Sequence, residues 1–191
     1  MEEDKFYFEK IYKNRKFKFE EDSYIVNKIL KLKKKGTVLD LGCGEGGNSI
    51  FLAEKGFNVT LIDISKTAIR KIRNEIKKRG IKAKLICKDL NNFHINKNFD
   101  IILALAVFHF LNRNRAISLI KEMKKRTNKE GINVIIGFLD NSLGKKSSFY
   151  LKKDELKKLY SDWKILEYKE YKEKDENRVN FLARIIAMKN N

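Results

Sequence analysis

Apolar positions along the chain fall into short continuous runs that alternate with longer, spaced stripes. The runs at 38–41, 58–63, 83–87, 99–105 and 133–138 have the length of β-strands. The most unbroken of them, 99–105, reads as a strand covered on both faces. Between the runs, apolar residues recur at helical spacing. Ile50, Phe51 and Ala53 open one helix, which Gly56 ends. Ile69, Ile72 and Ile76 form the stripe of another, with Ser65 placed to cap it and Gly80 to stop it. A third covers 115–126 and is followed by Gly131. Upstream, Phe6, Phe8, Ile11 and Tyr12 mark a short amphipathic helix, and 13–19 is a basic connection. Ile25, Val26, Ile29 and Leu30 mark a further helix, which Asp22 or Ser23 caps and Gly36 ends. Strands alternating with helices predict an α/β chain with a Rossmann-like, doubly wound parallel sheet.

The tail breaks this alternation. A loop at 139–149 is rich in Ser, Lys and Gly, and a charged helix is predicted at 153–160. Two strands follow, at 163–171 and 179–188, with only a turn between them. So short a connection cannot hold a crossover helix, so the pair is an antiparallel hairpin closing a mostly parallel sheet. With no internal repeat and no linker, residues 1–191 read as one domain, with 1–35 as an N-terminal helical cap and 139–162 as lid and helix.

Composition narrows the class. No apolar stretch approaches the roughly 20 residues of a membrane span, and the acidic N-terminus has no signal-peptide core. Two cysteines make no disulfide framework, which points to the cytoplasm. Two histidines and two cysteines, scattered, offer no metal set. The net charge of +18 has two readings, a nucleic-acid partner or solvated helix faces. The lysines run from Lys5 to Lys189 rather than gathering in one arm, which favours the second.

The candidate chemistry sits where the first strand ends, in Gly42-Cys43-Gly44-Glu45-Gly46-Gly47. Strand, glycine turn, helix is the arrangement that lets a nucleotide-like ligand approach bare backbone. Gly42, Gly44 and Gly47 fit the dinucleotide spacing G-x-G-x-x-G, while Gly42, Gly44 and Gly46 equally fit G-x-G-x-G. Asp40 and Glu45 would repel an anion at this helix start and would tolerate a cation. They favour S-adenosylmethionine, with its sulfonium and ammonium groups, over NAD. Asp63 follows Gly42 by 21 residues, at the carboxyl end of the second strand, where a carboxylate accepts ribose hydroxyls.

On these residues the stretch 38–46 resembles motif I of the class I S-adenosylmethionine-dependent methyltransferases. Asp63 resembles their ribose acid, Asp89-Leu90 their adenine-contacting pair and 99–107 their fourth-strand motif, and the terminal hairpin is a hallmark of the fold. A narrower resemblance runs through Tyr7-Phe8 with Tyr12, Asp89-Leu90-Asn91-Asn92, Glu155-Leu156 and Tyr160-Ser161-Asp162-Trp163, to the tellurite-resistance (TehB-like) methyltransferases. It implies a class I methyltransferase fold and methylation of a small soft nucleophile, such as a reduced tellurium or selenium species or a thiol. The cofactor-binding set it implies is Asp40, Gly42, Gly44, Gly46, Asn48, Asp63, Ile64, Asp89, Leu90, Ala106 and Tyr12. That family carries a His-Arg pair before the last hairpin strand. Here 174–178 has no histidine, Arg178 lies close to a family arginine, and Arg184 is out of register.

Alternative roles stay open. Asp40 either receives the ligand's ammonium or caps the next helix, and Asp89 either touches adenine or closes a turn. Cys43 is a small filler or a nucleophile at a helix start. Cys87 reads as core and His94 as solvated. His109 is a catalytic candidate, as base or orienting donor, or a histidine packed among Phe108 and Phe110. Arg178 attracts an anionic acceptor or is a surface arginine. Tyr7, Phe8 and Tyr12 cover the cofactor or dock a helix. The expected partner is a small-molecule acceptor, and the expected protein a monomer or homodimer. An RNA or protein methyltransferase and a non-catalytic S-adenosylmethionine-binding module are the competing functions.

Overall fold

The computed structural model describes residues 2–139, 149–175 and 178–191, without the side chains of 2–4, 175 and 178. The chain divides into two compact units, Met1–Phe93 and His94–Asn191.

The first unit holds α1 (Glu2–Asn14), α2 (Ser23–Leu32), β1 (Thr37–Leu41), α3 (Gly47–Glu54), β2 (Asn58–Asp63), α4 (Lys66–Lys78) and β3 (Ala83–Cys87). Its strands are parallel in the order β3-β2-β1, with Val38 opposite Val59 and Leu61 opposite Leu85. Residues 38–41 and 59–63 are buried without a break, as strands covered on both faces must be. β3 is an edge strand and is only partly buried, with Lys84 and Cys87 exposed. Cys87 is therefore a rim residue rather than a core one. Asp22, not Ser23, caps α2, accepting from the N–H groups of Tyr24 and Ile25. Ser65 caps α4 as its position predicted, and Ala68, Ile69, Ile72 and Ile76 bury one stripe of that helix.

The second unit holds β4 (Phe99–Leu105), a single 3-10 turn (Phe108–Phe110), α5 (Arg113–Arg126), β5 (Thr127–Phe138), α6 (Glu155–Leu159), β6 (Lys164–Asp175) and β7 (Arg178–Met188). β4 and β5 are parallel, β7 lies antiparallel against β5, and β6 completes the order β4-β5-β7-β6. The terminal hairpin is thus as the short turn required. β5 starts earlier than the apolar run, so Gly131 lies inside it, beside Glu130 at φ 55°. Hydrogen bonding to neighbours carries the strand through this polar stretch, where hydrophobicity gives no signal. Of the expected lid, residues 140–148 lie outside the described residues.

Candidate cofactor site

β1 delivers the chain into a turn that uses three left-handed glycines, Gly42, Gly44 and Gly46, at φ 68°, 56° and 76°. Left-handed backbone at alternate positions explains the spacing G-x-G-x-G, because only glycine adopts it without a steric penalty. The turn is tied down by the N–H of Cys43 on the Ile62 carbonyl (2.9 Å) and that of Gly46 on the Cys43 carbonyl (2.8 Å). Gly47 serves a different purpose. A Cβ there would stand 1.8 Å from the Glu20 carbonyl oxygen, so this glycine makes room for the chain's own segment. The dinucleotide spacing that includes Gly47 is accounted for without a ligand.

Two buried carboxylates flank the turn. Asp63, 6% exposed, accepts the N–H of Gly44 at Oδ2 and that of Ser65 at Oδ1, each at 2.9 Å. Each oxygen keeps a lone pair for a further donor. Burial raises its carboxyl pKa, against the opposing pull of those N–H groups. Asp40, 4% exposed, accepts the Ser49 hydroxyl at 2.7 Å. Burial pushes its carboxyl up to about 6, and the nearby Asp63 charge acts in the same direction. Burial likewise pushes the Cys43 thiol well up, with Asp63 and Asp40 adding to it. That suits a packed thiol rather than a nucleophilic thiolate.

Glu45 departs from the expectation. Its Oε1 lies 2.6 Å from Arg15 Nε, and its Oε2 accepts the Lys18 N–H at 3.0 Å. The charge counted beside the ligand is engaged by the N-terminal segment, which leaves Asp40 and Asp63 to carry the electrostatic reading. Asn48 is engaged in the same way, its Oδ1 accepting the Asp22 N–H at 2.7 Å.

Tyr12 lies over the turn, its hydroxyl 3.3 Å from where a Gly44 Cβ would stand. It is buried, stacked on Phe8 and edge-on to Phe17, and that cluster packs on Ala68 of α4. Burial and then the Asp63 charge raise the phenol pKa. Of the aromatic trio only Phe8 and Tyr12 turn inward; Tyr7 is 52% exposed. After β3, Asp89 Oδ1 accepts both the N–H and the side-chain amide of Asn91, closing an Asx turn. Leu90 beside it is buried. Ile64, next to Asp63, is partly buried and accepts the Cys87 thiol at its carbonyl (3.5 Å).

In the second unit, Ala106 follows β4 exposed, at φ 52°, a conformation that costs a non-glycine residue about 1 kcal/mol or more. Its N–H on the Ile136 carbonyl (2.8 Å) helps to hold it there. His109 lies in the 3-10 turn, its ring centroid 3.8 Å from Phe110 and 4.6 Å from Phe138. Burial lowers its imidazole to about 4, so it is neutral at pH 7. His94 is solvated and pairs with Glu122. Arg178 opens β7, but its side chain lies outside the described residues. Arg184 is paired with Glu167 at 2.8 Å and stacks over Tyr171.

A strand, a left-handed glycine turn, a helix, and a carboxylate at the end of the next strand, in a chain whose last hairpin is antiparallel, define the class I S-adenosylmethionine-dependent methyltransferase fold. The crystal structure of TehB from Haemophilus influenzae superposes with a TM-score of 0.81 at 35% identity, covering 87% of this chain and 62% of that one. The model of the family described as "Tellurite resistance protein TehB" matches residues 2–188, and the chain belongs to that family. Among its relatives is the "Probable S-adenosyl-L-methionine-dependent methyltransferase TehB" of Haemophilus influenzae, 39% identical over 136 residues, which are 70% of this chain and 48% of that one. "Hemagglutinin 1" of Eikenella corrodens is 33% identical over 135 residues, 69% of this chain and 45% of that one. The chain thus spans about half the length of the curated relatives it matches.

Proposed function

We propose that this chain binds S-adenosylmethionine and transfers its methyl group to a small soft nucleophile, a thiol or a reduced tellurium or selenium species. The observation that carries the reading is Asp63, anchored by the N–H groups of Gly44 and Ser65 beside a turn of alternating left-handed glycines. The residues present fit the cofactor. Asp63 keeps acceptor capacity for ribose hydroxyls, and Asp40 is a buried carboxylate suited to an ammonium group, directly or through water. Tyr12 supplies an aromatic cover, and Asp89 with Leu90 offers a carboxylate and a backbone N–H for adenine. Bound there, the cofactor supplies an electrophilic methyl group on a sulfonium centre.

The protein's own contribution is then alignment and exclusion of water. A soft anion is nucleophilic at neutral pH and needs no strong base. That agrees with His109, whose neutral, apolar-packed imidazole is a weak one. We assign Arg178 to attraction of an anionic acceptor. A cytoplasmic location is part of the reading. Among the described residues no helix is long and apolar enough to cross a membrane.

Calorimetry of S-adenosylmethionine with Asp63→Ala tests the binding half, since loss of binding is expected and unchanged affinity refutes it. A turnover screen for S-adenosylhomocysteine against tellurite with reductant, selenite, thiols, halides and tRNA tests the other half. Turnover with tRNA alone would move the function to the basic surface. No turnover with any acceptor would leave a binding module.

A further inference from the structure

Residues 8–22 cross the glycine turn as a strap, all within the first unit. Glu9 reaches from α1 to the start of α4, where its Oε1 accepts the N–H groups of Lys66 (2.5 Å) and Thr67 (3.3 Å). Lys71 of α4 donates Nζ in return to the carbonyls of Tyr12 and Arg15, each at 2.6 Å. A carboxylate at one helix's N-terminus and an ammonium at the other's C-terminus are the two charge–dipole contacts that helix ends favour. Further along, Arg15 and the Lys18 N–H hold Glu45, the Glu20 carbonyl seats against Gly47, and the Asp22 N–H reaches Asn48. Phe19, between these anchors, has φ 55°. A bulky residue persists in that conformation only while its surroundings hold it.

What lies beneath is what the cofactor needs. Asp63 and Asp40 are 6% and 4% exposed, and Tyr12 of the strap itself is 8% exposed. The Tyr12 hydroxyl rests over Gly44, the residue whose N–H holds the Asp63 carboxylate, so the strap stands over the acid that the cofactor reading assigns to the ribose. The strap is fastened both by an apolar cluster, Tyr12 and Phe17 with Phe8, Ile11 and Phe19 on Ala68, and by carboxylate, ammonium and backbone contacts. Water replaces the polar contacts at a net cost of about 1–3 kcal/mol each, so they, rather than the apolar cluster, are where a single substitution loosens the strap. Lifting also relieves Phe19.

We propose that this strap is the gate through which the adenosyl cofactor enters and leaves, and that Lys71 is the positioning residue that latches it. The proposal rests on the cofactor reading above. Lys71 touches neither ligand nor reacting atoms; it acts through Tyr12.

Stopped-flow binding of S-adenosylhomocysteine to Lys71→Met tests the gate. Association and dissociation should both speed up, by roughly tenfold, with the equilibrium affinity changing less than either rate. Lys71→Arg, still able to donate to both carbonyls, should restore slow rates. Without ligand, amide hydrogen exchange in residues 8–18 should quicken in Lys71→Met while β2 stays protected. Unchanged rates with an equally protected strap overturn the gate. Slower association with lost affinity also overturns it, because that marks a distorted site. Glu45→Gln loosens the strap from its other end and repeats the test should Lys71→Met fail to fold. A wild-type chain that binds no S-adenosylhomocysteine overturns the cofactor reading and the gate together, whereas tight binding at latch-insensitive rates overturns the gate alone.

Discussion

Gly47→Ala separates the two purposes a glycine can serve in this turn. The added methyl would stand 1.8 Å from the Glu20 carbonyl oxygen, 2.4 Å from its carbon and 3.0 Å from the Phe19 carbonyl carbon. All three are backbone atoms, so no side-chain rotation relieves the clash and the strap itself must move. Overpacking of this kind costs about 1–3 kcal/mol. Displacing the strap also weakens the Asp22–Asn48 and Lys18–Glu45 hydrogen bonds, at about 1 kcal/mol each. Alanine in the first turn of α3 returns at most about 1 kcal/mol of helix propensity. The net expectation is about 2–4 kcal/mol of lost stability, or roughly 4–16 °C in Tm for a chain of this size. Urea denaturation without ligand measures it, with amide exchange of residues 8–22 as the local readout. If Gly47 existed instead to admit a dinucleotide, the ligand-free protein would be unaffected or slightly stabilised and only binding would fall. Equal stability and equal strap protection in Gly47→Ala would therefore refute the reasoning.

Two further outcomes follow from buried titrating groups. Asp40 has its folded pKa raised to about 6 from 3.8, so the folded chain holds this proton more tightly than the unfolded one. Its contribution to stability is present at pH 4 and falls as pH rises to 6. Asp40→Asn should therefore gain up to about 3 kcal/mol at pH 7.5 in urea denaturation, and none at pH 4, while losing S-adenosylmethionine affinity in calorimetry. His109 has its folded pKa depressed to about 4 from 6.5, so the folded chain binds this proton less tightly. Its contribution to stability should climb as pH rises from 4 to 6.5 and level off above it, opposite in sign to that of Asp40, and His109→Gln should remove that contribution from the pH profile. NMR titration of the imidazole should show no protonation step between pH 5.5 and 8.

Local signals fixed most of the first unit before any coordinates. Ser65 three residues before Ala68, the Ile69–Ile72–Ile76 stripe and the Asp63 spacing each act within a few residues or along one strand–helix unit, so composition alone exposes them. The engagement of Glu45 was not legible. Its partners, Arg15 and Lys18, are separated from it by a helix and a strand, and an acid beside glycines looks the same whether it meets a ligand or its own chain. Gly47 was misleading for the same reason: spacing reports that something approaches closely, not what. Cys87 looked like core because β3 is apolar at every position except Lys84, whereas an edge strand buries only part of what it carries. The early start of β5 is set by pairing with its neighbours, which no hydrophobic pattern records.

The lysine-marked edge at β3 has a consequence for assembly. A strand at a sheet's border offers unpaired backbone groups to any passing chain, and two copies meeting there would extend one sheet through both. Lys82, Lys84 and Lys88 are exposed along that border, so a symmetric meeting would bring like charges opposite one another at the spacing of paired strands, where they repel. The border is thus guarded by charge rather than covered by structure. If two copies of this chain associate, they meet elsewhere than along the β3 border.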